Sequence, residues 1–235
     1  MSRLSSVVMR GLARRGLALQ RHPGWRRQRL LTEHGVDLVL DVGAARGGYA
    51  QELREFGYRG RIVSFEPIAA AYTDLKAASA GDPDWACVHS ALGGTAGKQT
   101  INIASNSDSS SLLPMSDEHR SAAPQVDYVG TEEISVARLD DVAPEHLAPA
   151  SRPFLKIDTQ GFEREVLAGG AETLPKCVGL QLELSFVPLY SGGMLVDEAI
   201  SFAYDHGFRM VAFAQGFTDP SGAMLQADGV FFRQR

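Results

Sequence analysis

Five polar residues, Asp41, Glu66, His89, Asp158 and Glu183, each stand at or near the end of a short, otherwise apolar run. Chance supplies one or two such placements; five in one chain point to a polar site built at strand ends. Glu66 lies 23 residues beyond Gly43. A carboxylate there accepts hydrogen bonds only and can receive both hydroxyls of a ribose. Pro67 fixes the turn beyond it. Ser90 and Ala91 follow the third run and are placed to meet an adenine edge, with His89 beside them as a candidate for that contact or for catalysis. Asp158, a carboxylate at the end of the fourth such run, could orient a bound hydroxyl, act as a base or ligate a metal. With Glu183 it offers hard oxygen ligands suited to Mg²⁺. A hydrogen-bonded pair steadying two loops is the favoured reading of those two carboxylates.

These residues converge only if the apolar runs lie side by side in one sheet. The stretch Leu38–Val42 reads as a buried strand, and a glycine turn then feeds a helix marked by Tyr49, Leu53 and Phe56 at helical spacing. Such a turn brings backbone N–H groups close to a ligand. The dinucleotide fingerprint G-x-G-x-x-G would need glycine at Ala45. What stands is D-x-G-x-x-x-G, with Asp41, Gly43 and Gly47, and Ala44 between them, as the candidate cofactor contacts. That acidic-first pattern resembles the first motif of methyltransferases that use S-adenosylmethionine (SAM).

Further strands are expected over residues 61–67, 85–88, 154–158, 178–184, 209–214 and 227–232, with helices over 68–79, 162–168 and 195–206. Alternation of this kind implies a doubly wound, parallel Rossmann-like sheet of about seven core strands, with ligands at the carboxyl ends of the strands. Residues 98–104 and 133–139 read as an antiparallel pair. The Ser-, Asp- and Pro-rich segment 105–130 between them is expected to fold over the ligand face.

The chain has 235 residues and suits one such domain, residues 35–235, behind a short helical extension, residues 1–34. The net charge of −5 hides an asymmetry. Residues 1–34 hold eight arginines against Glu33 alone, so they sum to +7 and the remainder to −12. Leu4, Val7, Val8, Gly11 and Leu12 recur at helical spacing, which favours an amphipathic helix packed on the domain over a transit peptide or a nucleic-acid patch. Two short helices are expected there, over 3–20 and 25–34, separated by His22, Pro23 and Gly24. No apolar run is long enough to span a bilayer, and a cytoplasmic protein is expected. Cys87 and Cys177 read as reduced core residues.

The blocks D-V-G-A-A-R-G-G-Y, F-E-P at residues 65–67, H-S-A-L-G-G and, above all, L-K-I-D-T-Q-G-F-E at residues 155–163 resemble the FkbM-type methyltransferase family in order and spacing. The resemblance covers roughly residues 35–235. It implies SAM as cofactor on a class I methyltransferase domain, and methyl transfer, usually to an oxygen of a natural product, sugar or glycolipid. The serine-rich residues 106–112 resemble the family's loop near the methyl site. The family often carries an acidic residue where Gln160 stands, which puts an acid–base or metal role at that position in doubt. The expected partner is a small-molecule or glycan acceptor rather than nucleic acid, with a homodimer allowed for. An NAD(P)-dependent oxidoreductase is the rival on the same fold, though Ala45 and the lack of a Tyr-x-x-x-Lys pair count against it. Methyl transfer to nitrogen or a carboxylate is a second alternative.

Overall fold

The computed structural model describes residues 10–17 and 21–234. Ten strands are present among them: β1 Leu38–Val42, β2 Arg61–Phe65, β3 Trp85–Val88, β4 Ala91–Leu92, β5 Gly97–Ala104, β6 Tyr128–Ala137, β7 Pro153–Ile157, β8 Gly179–Ser185, β9 Phe208–Gln215 and β10 Gln226–Arg233. Seven form the central sheet in the order β3-β2-β1-β7-β8-β10-β9. The pairings from β3 through β8 are parallel, whereas β10 runs antiparallel to both β8 and β9. The sheet is therefore not wholly parallel as the alternation suggested. The last two strands lack an intervening helix, so β10 can return beside β9 only in the opposite direction.

Strand β1 is buried along its whole length, as is β7. Side chains alternate between the two faces. Leu38, Leu40, Val42, Leu155 and Ile157 join one core cluster, while Val39 and Phe154 join another on the opposite face. The second cluster is covered by the helices Pro23–Glu33 and Gly48–Glu55. Pro23 is the first helical residue rather than part of a separating turn; it lacks the N–H that a first-turn residue leaves unbonded in any case. Residues 10–13 are helical, and the remainder of the helix expected over 3–20 lies mostly outside the described residues. Cys87 and Cys177 are free thiols.

A separate three-stranded sheet, β4-β6-β5, contains the expected antiparallel pair β5 and β6. The segment between them is not continuous loop. It includes the short helix Asp117–Ala122, whose first turn is capped by the Ser116 hydroxyl accepting from His119 N–H. Among the described residues no helix is long and apolar enough to cross a membrane.

Candidate functional site

A cavity of about 460 Å³ opens at the carboxyl ends of β1, β2 and β7. Its floor is the glycine turn. Gly43 has φ +74°, and a Cβ there would lie 1.9 Å from the main-chain oxygen of Asp158, so β7 approaches too closely for any side chain. The N–H groups of Gly43 and Ala44 both donate to Phe65 O, at 3.1 Å each. Ala45 adopts φ +47° where the dinucleotide pattern would place glycine, and its N–H donates to Glu66 Oε2 at 2.9 Å. Gly47, at φ +87°, leads into the helix Gly48–Glu55, and a Cβ on it would sit 3.0 Å from Leu75 and Trp85. Gly48 lines the cavity with open space where a Cβ would be.

Glu66 also lines the cavity, but as a buried residue, 4% exposed. Its Oε1 accepts from Ile68 N–H at 2.8 Å while Oε2 holds Ala45. Burial pushes its carboxyl up to about 7, against the smaller opposing pull of those two N–H groups. Each oxygen keeps a further lone pair for a ligand hydroxyl. Pro67, Ser90 and Ala91 stand around it on the same wall. The Ser90 hydroxyl donates to Ala91 O at 2.8 Å, leaving its lone pairs and not its proton for a ligand. His89 is not among the cavity-lining residues. Its exposed ring stacks on Tyr72 at 4.4 Å, and Nε2 hydrogen-bonds Pro67 O at 2.9 Å. The catalytic role expected for His89 finds no geometric support; the ring braces the turn after Glu66.

Beneath the cavity runs a row that sequence reasoning missed. Ser64, Asp41, Lys156 and Gln181 are register neighbours on four adjacent strands and so share one face of the sheet. Asp41 is fully buried, accepting from Ser64 Oγ at 2.9 Å and pairing with Lys156 Nζ at 3.1 Å. Ser64 in turn accepts from Trp85 Nε1 at 3.0 Å. Asp41 is thus an internal anchor of the glycine turn, and direct ligand contact is left to the turn itself: Gly43 and Ala44 line the cavity, Asp41 does not. Lys156 Nζ donates to Gly43 O at 2.8 Å and lies 3.6 Å from Asp158 Oδ2. Burial by itself pulls this ammonium's pKa down, but the Asp41 and Asp158 carboxylates outweigh burial and hold it above the usual lysine range. Tyr49 closes the row from the helix side, donating to Gln181 Oε1 at 3.1 Å. The signal in the sequence was a polar residue within each of four largely apolar strands.

Asp158 and Glu183 do come together, through Gln160. The Gln160 amide donates to Asp158 Oδ1 at 2.8 Å and to Glu183 Oε2 at 3.0 Å, and its Oε1 accepts from Tyr190 OH at 2.8 Å. Gln160 stands at φ +55°, a left-handed conformation rare for a residue with a side chain. Burial and the Asp158 carboxylate both raise the Glu183 pKa well above the usual carboxylate range. This donor set does not fit a divalent cation, because an N–H donor holds both carboxylates. Among the described residues no group of three His, Cys, Asp or Glu is arranged to hold a metal. The serine-rich loop folds over the same place: Ser107, Asp108, Ser110 and Leu112 line the cavity, and Ser111 Oγ donates to Gln160 O at 2.7 Å.

Residues 41–210 match the family model described as the methyltransferase FkbM domain. Solved structures share the fold at low identity. Magnesium protoporphyrin IX methyltransferase from Synechocystis PCC 6803, solved with bound SAM, is 10% identical with a TM-score of 0.50, covering 90% of this chain and 78% of its own. An rRNA methylase from Streptococcus thermophilus gives 10% identity, TM-score 0.49 and coverages of 93% and 100%. Fibrillarin from Aeropyrum pernix, with natively bound SAM, gives 12%, 0.48, 88% and 75%. Among curated proteins no sequence is significantly similar to the chain.

Proposed function

Because the chain belongs to the FkbM methyltransferase family, and so to the SAM-dependent methyltransferases, we propose that it methylates an oxygen, a hydroxyl of a small natural product, sugar or glycolipid, with Asp158 at the acceptor. The observation that carries this reading is the position of Asp158: just past the end of β7, across β1 from Glu66 in the strand order, lining the same cavity with its carboxylate partly exposed. When bound, SAM supplies a methyl group already activated by its sulfonium sulfur. Glu66 suits its ribose hydroxyls, the turn from Gly43 to Gly48 suits close backbone approach, and Pro67, Ser90 and Ala91 suit the adenine.

The chain's own contribution is then placement and one proton. Well-oriented partners account for about 7–11 kcal/mol of barrier. A base at an alcohol acceptor adds about 10²–10⁴-fold. Asp158 Oδ2, held by Lys156, takes the acceptor proton, while Oδ1 stays fixed by Gln160. The proposed step calls on no metal, because the Gln160 amide already bonds both the Asp158 and Glu183 carboxylates.

The test pairs labelled SAM with a panel of hydroxylated acceptors. Asp158→Asn keeps the shape and loses the charge, so turnover should fall roughly 10²-fold or more with SAM affinity little changed. Turnover within about threefold of wild type would reject Asp158 as the base. Label arriving on nitrogen or carbon would reject the oxygen acceptor and leave the cofactor assignment standing.

A further inference from the structure

A second cavity, of about 250 Å³, lies away from the first, between the start of the helix Pro23–Glu33 and the strands β9 and β10. Three arginines line it, Arg21, Arg26 and Arg27, facing Ala212, Phe213, Ala214, Val230 and a single carboxylate, Asp228. We propose that this cavity binds a small phosphate ester, its phosphate held by the three guanidinium groups and its organic part lying against Phe213 and Val230.

Four observations carry the assignment. First, Arg27 has a side chain 9% exposed, and its Nε has no hydrogen-bond partner. A buried guanidinium N–H left unbonded is costly, and an oxyanion in the cavity is its natural acceptor. The rest of that guanidinium is fixed, by an ion pair with Glu52 and by stacking on the Tyr49 ring at 4.5 Å. Second, among the described residues neither Arg21 nor Arg26 makes an ion pair; Arg21 stacks on Trp25 at 4.1 Å, which orients its fork without neutralising it. Third, the helix whose first residue is Pro23 runs for 11 residues and carries no acidic residue in its first turn, so its N-terminal dipole adds to the positive field. Fourth, residues 1–32 contain no Asp or Glu, so the basic extension cannot fill the cavity with an acidic side chain of its own.

Asp228 opposes the anion and sets the size of the effect. It lies opposite Glu183 on β8 and Ala214 on β9. Burial, and then the Asp158 charge, raise its pKa, while the Arg27 guanidinium pulls it the other way. Tyr49 lines the first cavity and stacks on Arg27 of the second, so an occupant of the second sits one aromatic ring away from the cofactor site.

The test uses the full chain without cofactor or acceptor, so its result is independent of the methyl-transfer reading. Inorganic phosphate and glucose 1-phosphate are titrated at constant ionic strength against chloride, with calorimetry and ³¹P linewidths as readouts. Saturable binding is expected, tighter for the ester than for the free ion. The double variant Arg21→Ala/Arg26→Ala changes exposed residues and should weaken it at least about fivefold, with SAM affinity retained. Asp228→Asn should tighten it. A response no greater than that of chloride would overturn the proposal, as would undiminished phosphate binding in the double variant.

Discussion

At the scale of single residues, Glu66 shows how burial changes what a carboxylate can be asked to do. Taken as a strand-end acid it belongs on an exposed rim; in the structure it is buried and caps two backbone N–H groups. Glu66→Ala should therefore weaken SAM binding at least tenfold by calorimetry, on the scale of a lost charged hydrogen bond, and also lower stability by unsatisfying Ala45 and Ile68. The pH dependence follows from the raised pKa of about 7. The unfolded chain releases this proton near the ordinary value of 4.5, while the folded chain keeps it until about 7. The stability it contributes is complete below the lower value and is lost as pH rises through the upper one, on the order of 3 kcal/mol in all. Denaturant titrations at pH 5 and pH 8 should show a smaller decline in Glu66→Gln than in wild type. Equal declines would place the titrating group elsewhere.

At the scale of elements, the site depends on how closely β1 and β7 approach. Lys156 ties the two strands by holding Asp41, Gly43 O and Asp158 together. Lys156→Met leaves the Asp41 charge buried and unpaired, at a cost of about 3–5 kcal/mol. Adding Asp41→Asn removes that charge and should restore part of the loss, a coupling that a double-mutant cycle reads directly. Additive losses would mean the pair is not energetically linked. The glycine turn gives a sharper contrast. Gly43→Ala forces a Cβ onto Asp158 O at a left-handed φ and should cost on the order of 3 kcal/mol or more, seen as a melting temperature lower by about 10 °C. Gly48→Ala meets nothing within 4 Å and should leave the melting temperature unchanged or raised, while SAM affinity falls because the methyl group enters the cavity.

At the scale of the whole molecule, the seven-stranded sheet brings one polar row beneath the cavity, and the small sheet with its serine-rich loop closes over the top. Ser111 joins that cover to Gln160 directly, and the Tyr190 hydroxyl, shared between Ser109 O and Gln160 Oε1, joins it from the segment after β8, so both reach the pair Asp158 and Glu183. An amide thus does the bridging that a cation would do elsewhere. Turnover should accordingly be unchanged after dialysis against EDTA and unaffected by added Mg²⁺. Loss of activity in chelator, restored by Mg²⁺, would show that Gln160 yields its place to a metal.

The sequence by itself determined the parts that depend on local pattern. Apolar runs located the strands of the central sheet to within two residues, glycine at positions 43 and 47 located the turn, and Glu66 and Asp158 were marked as strand-end acids that line the cavity, whereas β4 and the start of β6 at Tyr128 were not foreseen. What it left undetermined are properties of register and packing. That Asp41 meets Lys156, and Ser64 meets Asp41, follows from which residues of neighbouring strands lie opposite one another, and no single strand carries that information. The same is true of His89, whose position after β3 matched the other strand-end residues. Its ring lies outside the cavity because Tyr72 and Pro67, from other segments, hold it there. The antiparallel return of β10 and the Gln160 bridge were likewise settled in three dimensions. Direction and hydrogen-bond partner are decided by residues distant in the chain, which only folding brings within reach.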